Sequence, residues 1–225
     1  MIGTWVATDL QTTRRICSLR DQNSDVVETI ERLRRENASL RKTLTELMGY
    51  RAMAYRDPLT GLRNRRYLDE RLSEEVQRAQ RRAQGGPSIL VIDVNSFKQI
   101  NDSRGHAAGD EVLRWVASLL EATVRNYDVC CRAGGDEFMV ILPSTDSEGV
   151  NRLALRLRER LCEENRQLLP PIGLSIGAST WPEGGTTANA MISAADAAMY
   201  LDKRRQRATF PTVSPSQQVL QRGAF

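Results

Sequence analysis

From Ile16 to Ala54 apolar residues recur every three and four positions, with no proline and with glycine only at Gly49. A continuous helix is the one element this spacing builds. Placing Ile16, Asn23, Ile30, Asn37, Leu44 and Arg51 at heptad position a puts Leu19, Val26, Leu33, Leu40, Leu47 and Ala54 at d. A seam repeating every 3.5 residues winds two helices into a left-handed coil. Asparagine at a favours a parallel dimer, where its amide meets its symmetry mate. Glu36 at g reaches Arg41 at e of the partner. The other reading is a single amphipathic helix packed on its own domain.

Asp57-Pro58 ends this helix, because the residue before proline is driven out of the α region. Asn64 is placed to cap a helix running to about Gln84, and Gly85-Gly86-Pro87 breaks it. Ser88 to Val94 is a β-branched apolar run that fits a buried strand. Phe97–Arg104 reads as a short helix and Ala107–Asn126 as a longer one. Val129–Arg132 and Glu137–Leu142 form a hairpin around Gly134-Gly135. Asp146–Asn165 reads as helix, Ile172–Ser179 as strand and Asn189–Arg205 as helix. This order predicts an α+β fold, one mostly antiparallel sheet flanked by helices and preceded by the long coiled-coil helix. The expected divisions are an N-terminal segment (1–15), a coiled-coil dimerisation and signalling helix (16–56), a catalytic domain (57–210) and a polar tail expected to be disordered (211–225).

The net charge of +4 is small, and Lys42, Lys98 and Lys203 are the lysines. No basic stripe with interleaved aromatics appears, so nucleic acid is not the expected partner. Cys17, Cys130, Cys131 and Cys162 lack CxxC spacing and read as reduced thiols, which points to the cytoplasm. No apolar run approaches the roughly 18 residues of a membrane span.

Chemistry concentrates at two places. Asp93 ends the first buried strand, and Asp136-Glu137 follows the glycine turn of the hairpin. If strand and hairpin are neighbours, these acids converge on one rim. Glycines there let a bulky polyanion approach the backbone, and hard divalent cations seek such oxygens. For a Gly-Gly-Asp alone, a plain turn is the readier explanation. Its surroundings weigh the other way. Asn95 to Lys98 joins strand to helix, where free N–H groups cradle phosphate. Asn101 and Asp110 bracket Gly105-His106 and offer the donors and acceptors that read a guanine edge. Lys203 and Arg207 end the last helix, where cations neutralise a triphosphate. His106, the single histidine, reads as structural.

Gly134-Gly135-Asp136-Glu137-Phe138 is the motif of GGDEF domains, the diguanylate cyclases of bacteria, and the resemblance runs from about Asp57 to Phe210. Asp57-Pro58-Leu59-Thr60-Gly61-Leu62-Arg63-Asn64-Arg65-Arg66 is similar to the family's opening DxLTGLxNRR. Phe97 to Asp102 with Gly105-His106 and Gly109-Asp110 matches FKxIND…GHxxGD. Ser175-Ile176-Gly177 and Ala195 to Tyr200 with Lys203 resemble the last strand and helix. The resemblance implies a palm-like nucleotidyl cyclase fold and condensation of two GTP into cyclic di-GMP. It implies two Mg²⁺ (Mn²⁺ being an alternative) on Asp93, Asp136, Glu137 and the carbonyl of Val94. It implies guanine contacts from Asn101 and Asp110. Phosphate contacts would come from the backbone of Asn95, Ser96 and Phe97 with Lys98, Lys203 and Arg207. Arg125 and Asp128 match the family's RxxD product-inhibition site, with Arg156 as a further arginine. Two departures stand out: Asn95 replaces the second aspartate of DxD, and Gln206 replaces the glycine before Arg207. The competing expectation is a degenerate domain that binds cyclic di-GMP without making it. An upstream sensory partner would supply the input.

Overall fold

A computed structural model describes residues 3–82, 85–165 and 171–209, with the side chains of residues 3–27, 52 and 209 outside the description. In chain order the elements are α1 (Gly3–Ala54), β1 (Arg63–Asn64), α2 (Arg65–Arg82), β2 (Ser88–Asn95), α3 (Phe97–Arg104), α4 (His106–Thr123), β3 (Val129–Gly134), β4 (Glu137–Leu142), α5 (Ser147–Asn165), β5 (Gly173–Thr180) and α6 (Ala188–Thr209). The chain divides into two compact units, Met1–Ala54 and Tyr55–Phe225.

The first unit is the 52-residue helix α1. It already begins at Gly3, well before Ile16. Of the heptad positions, Ile30, Leu33, Leu40, Leu44 and Leu47 are 43–59% exposed on the single chain. The side chains of Ile16, Leu19, Asn23 and Val26, and the tail from Pro211, lie outside the described residues. No helix among the described residues is long and apolar enough to cross a membrane.

The second unit is built on a five-stranded sheet in the order β1-β3-β4-β2-β5. β2 lies antiparallel to both β4 and β5, and β3 antiparallel to β4, so the mostly antiparallel expectation holds. The two-residue β1 adds one parallel pairing to β3, a strand too short to leave a periodic signal in the sequence. Seven of the eight β2 residues are buried because helices cover both sheet faces. Leu90, Ile92, Phe138 and Val140 pack with α4 and α5 residues such as Leu113, Val116, Leu153 and Leu157. The alternate residues Ile89, Val91, Met139 and Ile141 pack on the other face with Leu68 and Leu72 of α2 and Met191 and Ile192 of α6. This period of two sends Asp93 to the α6 face.

Asn64 caps α2 through its side-chain oxygen, which accepts from the Tyr67 N–H at 3.2 Å. α4 stops at Thr123, three residues before the expected Asn126. The Arg125 N–H donates to the Asp128 carboxylate at 2.9 Å and the Asp128 N–H to the Arg125 carbonyl at 3.0 Å, closing a turn where helix was expected. Burial pushes the Cys130 thiol up to about 12, helped by Glu121 and Asp128, and raises Cys131 as well, so both stay protonated.

Candidate functional site

β2 ends at the rim of the sheet between β4 and β5, and its register places Asp93 directly opposite Glu137. The Val94 N–H donates to the Asp136 carbonyl at 3.2 Å, which ties the glycine turn to the strand end. A register shift between Arg132 and Gly134 kinks β3 as it enters this turn. Gly135 then adopts φ +51°, a left-handed conformation that glycine takes without strain. Asp93, Val94, Asp136 and Glu137 therefore share one rim, as strand end and adjoining turn.

The electrostatics mark this rim as negative. The Glu137 carboxyl is raised above its ordinary value, first by burial and then by Asp196, Asp136 and Asp93, with Arg65 opposing. Asp196, on α6, is raised by burial, again with Arg65 opposing. One cation is already present: the Lys203 ammonium donates to Asp93 at 2.6 Å. Lys203, which the family resemblance assigns to the phosphates, lies on α6 against this carboxylate. The donor set, the carboxylate oxygens of Asp93, Asp136 and Glu137, fits a hard divalent cation, and its neighbours help hold the Glu137 carboxyl raised. Among the described residues, no three His, Cys, Asp or Glu side chains converge as a ready-made metal cage.

Beside the rim, Ser96 connects β2 to α3 at φ 58° with no side-chain cap. Its carbonyl accepts from the N–H groups of Gln99 and Ile100, which starts the helix. Asn101 of α3 faces α4, and its side-chain oxygen is buried without a partner. A Cβ on Gly109 would stand 1.9 Å from that oxygen, so the missing side chain keeps the space open. Asp110, half-buried, is the next residue of α4. Lys98 and Arg207 are exposed, and no hydrogen bond or ion pair among the described residues joins either to the rim.

Arg125 and Asp128 line a separate cavity of about 570 Å³ together with Arg152, Arg156 and Trp181. Arg125 donates to the Tyr127 hydroxyl at 2.6 Å, and Arg156 to the Thr123 carbonyl at 2.6 Å, where it satisfies the end of α4. Burial raises the Asp128 carboxyl, while its bond from Arg125 and the charges of Arg125 and Arg156 act against that.

Two structural residues at the site escaped sequence reasoning. Arg132 donates from Nε and Nη2 to the Gly135 carbonyl at 3.0 and 2.7 Å, and from Nη1 to both Asp57 oxygens at 3.1 and 3.2 Å. The available signal was a lone arginine inside the apolar strand Val129-Cys130-Cys131, two residues before the glycine turn. Asp202 was the other; its carboxylate accepts from Arg158, from the Ile176 N–H and from Gln206.

Residues 54–209 match the family model for the diguanylate cyclase GGDEF domain. The chain is 41% identical over 167 residues to the diguanylate cyclase DgcP of Pseudomonas aeruginosa, covering 72% of this chain and 24% of DgcP. It thus spans about a quarter of that relative's length. Among solved structures, the diguanylate cyclase SiaD of Pseudomonas aeruginosa, in complex with its activator SiaC, superposes with a TM-score of 0.71 at 32% identity, covering 89% of this chain and 78% of SiaD. The coiled coil and GGDEF domain of DgcB from Caulobacter crescentus, in complex with c-di-GMP, gives 0.68 at 28% identity, covering 77% and 93%. On the matched motifs, the sheet and the rim they build, the chain belongs to the GGDEF-domain family of diguanylate cyclases.

Proposed function

We propose that the chain condenses two GTP into cyclic di-GMP, releasing two pyrophosphates. The observation that carries this is the rim itself: Asp93 opposite Glu137, with the Asp136 carbonyl hydrogen-bonded to Val94. Asp93, Asp136, Glu137 and the Val94 carbonyl would hold the divalent ions. Bound there, such ions lower the pKa of the 3′-hydroxyl and neutralise charge on the α-phosphoryl group and the leaving pyrophosphate.

The rest falls to the protein's own groups. Asn101 and Asp110 receive the guanine, and the open oxygen of Asn101 supports this role. The backbone of Asn95, Ser96 and Phe97, with Lys98, Lys203 and Arg207, receives the phosphates. Each 3′-oxygen attacks the α-phosphorus of the other nucleotide, the bond to pyrophosphate breaks, and the hydroxyl proton leaves to solvent or an adjacent carboxylate. Two reciprocal attacks close the ring.

One subunit holds one nucleotide, so two must face each other. The exposed seam Ile30, Leu33, Leu40, Leu44 and Leu47 supports a parallel coiled-coil homodimer through α1. Tethering the halves turns an encounter into a near-unimolecular step, worth several kcal/mol. Arg125, Asp128 and Arg156 form the product-inhibition site, supported by their shared cavity. Purified protein incubated with GTP and Mg²⁺ should yield cyclic di-GMP and pyrophosphate by mass spectrometry. Unchanged GTP together with tight cyclic di-GMP binding would instead establish a receptor.

A further inference from the structure

The two positions at which the chain departs from its family's motifs touch each other. The Asn95 side-chain N–H₂ donates to the Gln206 side-chain oxygen at 2.7 Å, across 111 residues of sequence. The Asn95 oxygen accepts from the Ser175 hydroxyl at 2.6 Å. The Gln206 N–H₂ donates to the Leu174 carbonyl at 3.0 Å and to Asp202 at 2.9 Å. Asp202 in turn accepts from the Ile176 N–H at 2.9 Å and from Arg158 at 2.8 Å. The chain thus runs from α5 through α6 to β2, and along the way satisfies Leu174 and Ile176 on the outer side of β5, an edge strand.

Only one orientation of the two amides satisfies this network. Turning Gln206 over would set its oxygen against the Leu174 carbonyl and the Asp202 carboxylate. Turning Asn95 over would oppose two acceptor oxygens. An aspartate at 95 would face the Gln206 oxygen with a second acceptor, and a glycine at 206 would strip the Asn95 donor of its partner in a half-buried place. Each departure alone is unfavourable, and together they are complementary. Room for the bond comes from Gly173, paired with Asn95 across the sheet, where a Cβ would stand 2.9 Å from the Asn95 nitrogen.

We infer that Asn95 and Gln206 are a matched positioning pair that fixes α6 against the end of β2 and so sets where Lys203 sits. Lys203 precedes Gln206 by three residues on α6, and Asp93 precedes Asn95 by two on β2. Both spacings keep a single face. The Lys203–Asp93 and Asn95–Gln206 contacts are therefore parallel rungs between the same helix and strand. The Asn95 side chain is committed to α6, which leaves its backbone to the phosphates. This inference rests on the nucleotide-binding role of Lys203 given above.

The test is a double-mutant cycle on the full chain with Asn95→Ala, Gln206→Ala and the double variant. Affinity for an α,β-methylene GTP analogue with Mg²⁺ is measured by calorimetry, alongside KM and kcat for GTP. Each single substitution should weaken analogue binding and raise KM about fivefold, the worth of one neutral hydrogen bond. The double variant should also show about fivefold, against about 25-fold for independent sites. The change should fall on KM rather than kcat, whereas mere loss of folded protein lowers apparent kcat alone. Gln206→Glu, of equal size, should bind more weakly than Gln206→Ala, because its carboxylate faces Leu174 and Asp202. Multiplicative effects, unchanged affinity in either single variant, Gln206→Glu binding as wild type, or a wild type that binds no analogue would each overturn the pairing. A wild type that binds the analogue but makes no cyclic di-GMP defeats the proposed activity alone and leaves the cycle as judge of the pair.

Discussion

Arg132 is the place where one substitution should reach furthest. Its side chain and that of Asp57 are 14% and 16% exposed, so their ion pair is largely removed from water. Breaking such a pair from one side strands the other charge and costs about 3–5 kcal/mol. Asp57 keeps two bonds from Thr60, its N–H at 2.9 Å and its hydroxyl at 2.7 Å, so the lower end applies. Arg132→Met should therefore cost about 3 kcal/mol, a fall in Tm of about 6–12 °C for a domain of this size. Burial alone would raise the Asp57 carboxyl, but the Thr60 bonds and the Arg132 guanidinium together hold it below its ordinary value. Stability from a lowered carboxyl is present above its unfolded pKa and lost as pH falls through the folded one. The gap between wild type and variant should thus be full at pH 7 and shrink in acid. Because much of the cost is the stranded carboxylate, Asp57→Asn with Arg132→Met should melt above Arg132→Met alone. Thermal unfolding by circular dichroism from pH 3 to pH 8 decides the matter. A Tm change under about 2 °C, a gap that widens in acid, or a double variant less stable than Arg132→Met would refute the reasoning.

Four further outcomes are expected. Gly109→Ala should displace the Asn101 side chain, since the new Cβ would stand 1.9 Å from its oxygen; KM for GTP should rise roughly tenfold while the fold persists. Glu137→Gln should raise Tm at neutral pH without divalent ions, because an acid raised in the folded state costs stability as pH climbs from its unfolded to its folded pKa; the same variant should lose most of the Mg²⁺-induced rise in Tm. Asn37→Ile should change the oligomeric state or the basal cyclase rate, read by light scattering and product formation; identical mass and rate would count against the parallel dimer. Arg125→Ala should relieve inhibition by added cyclic di-GMP without lowering the initial rate, as initial-velocity curves with and without product will show.

Much of the fold is legible because its elements bury unlike patterns. Ser88 to Val94 reads as a buried strand from its β-branched apolar run, and α4 from the spacing of Leu113, Val116 and Leu120. Other features escaped such reading. β1 is two residues long and exists only because β3 lies beside it. The helical pattern reads on to Asn126, yet the Asp128 carboxylate captures the Arg125 N–H and closes a turn. Lys203 is an ordinary cation at a helix end until α6 is laid along β2, which brings it to Asp93.

The sequence by itself determined the long helix, the alternation of strands and helices, the motifs of the family and the two places where this chain departs from them. Those are properties of local spacing and residue chemistry, carried within a few turns or strand lengths. Only the tertiary structure decided that Asn95 meets Gln206, that Arg132 joins Asp57 to the Gly135 turn, and that Lys203 rests on Asp93. Such contacts span 75 to 111 residues. They depend on sheet order and on which face each helix covers, and no local pattern encodes either.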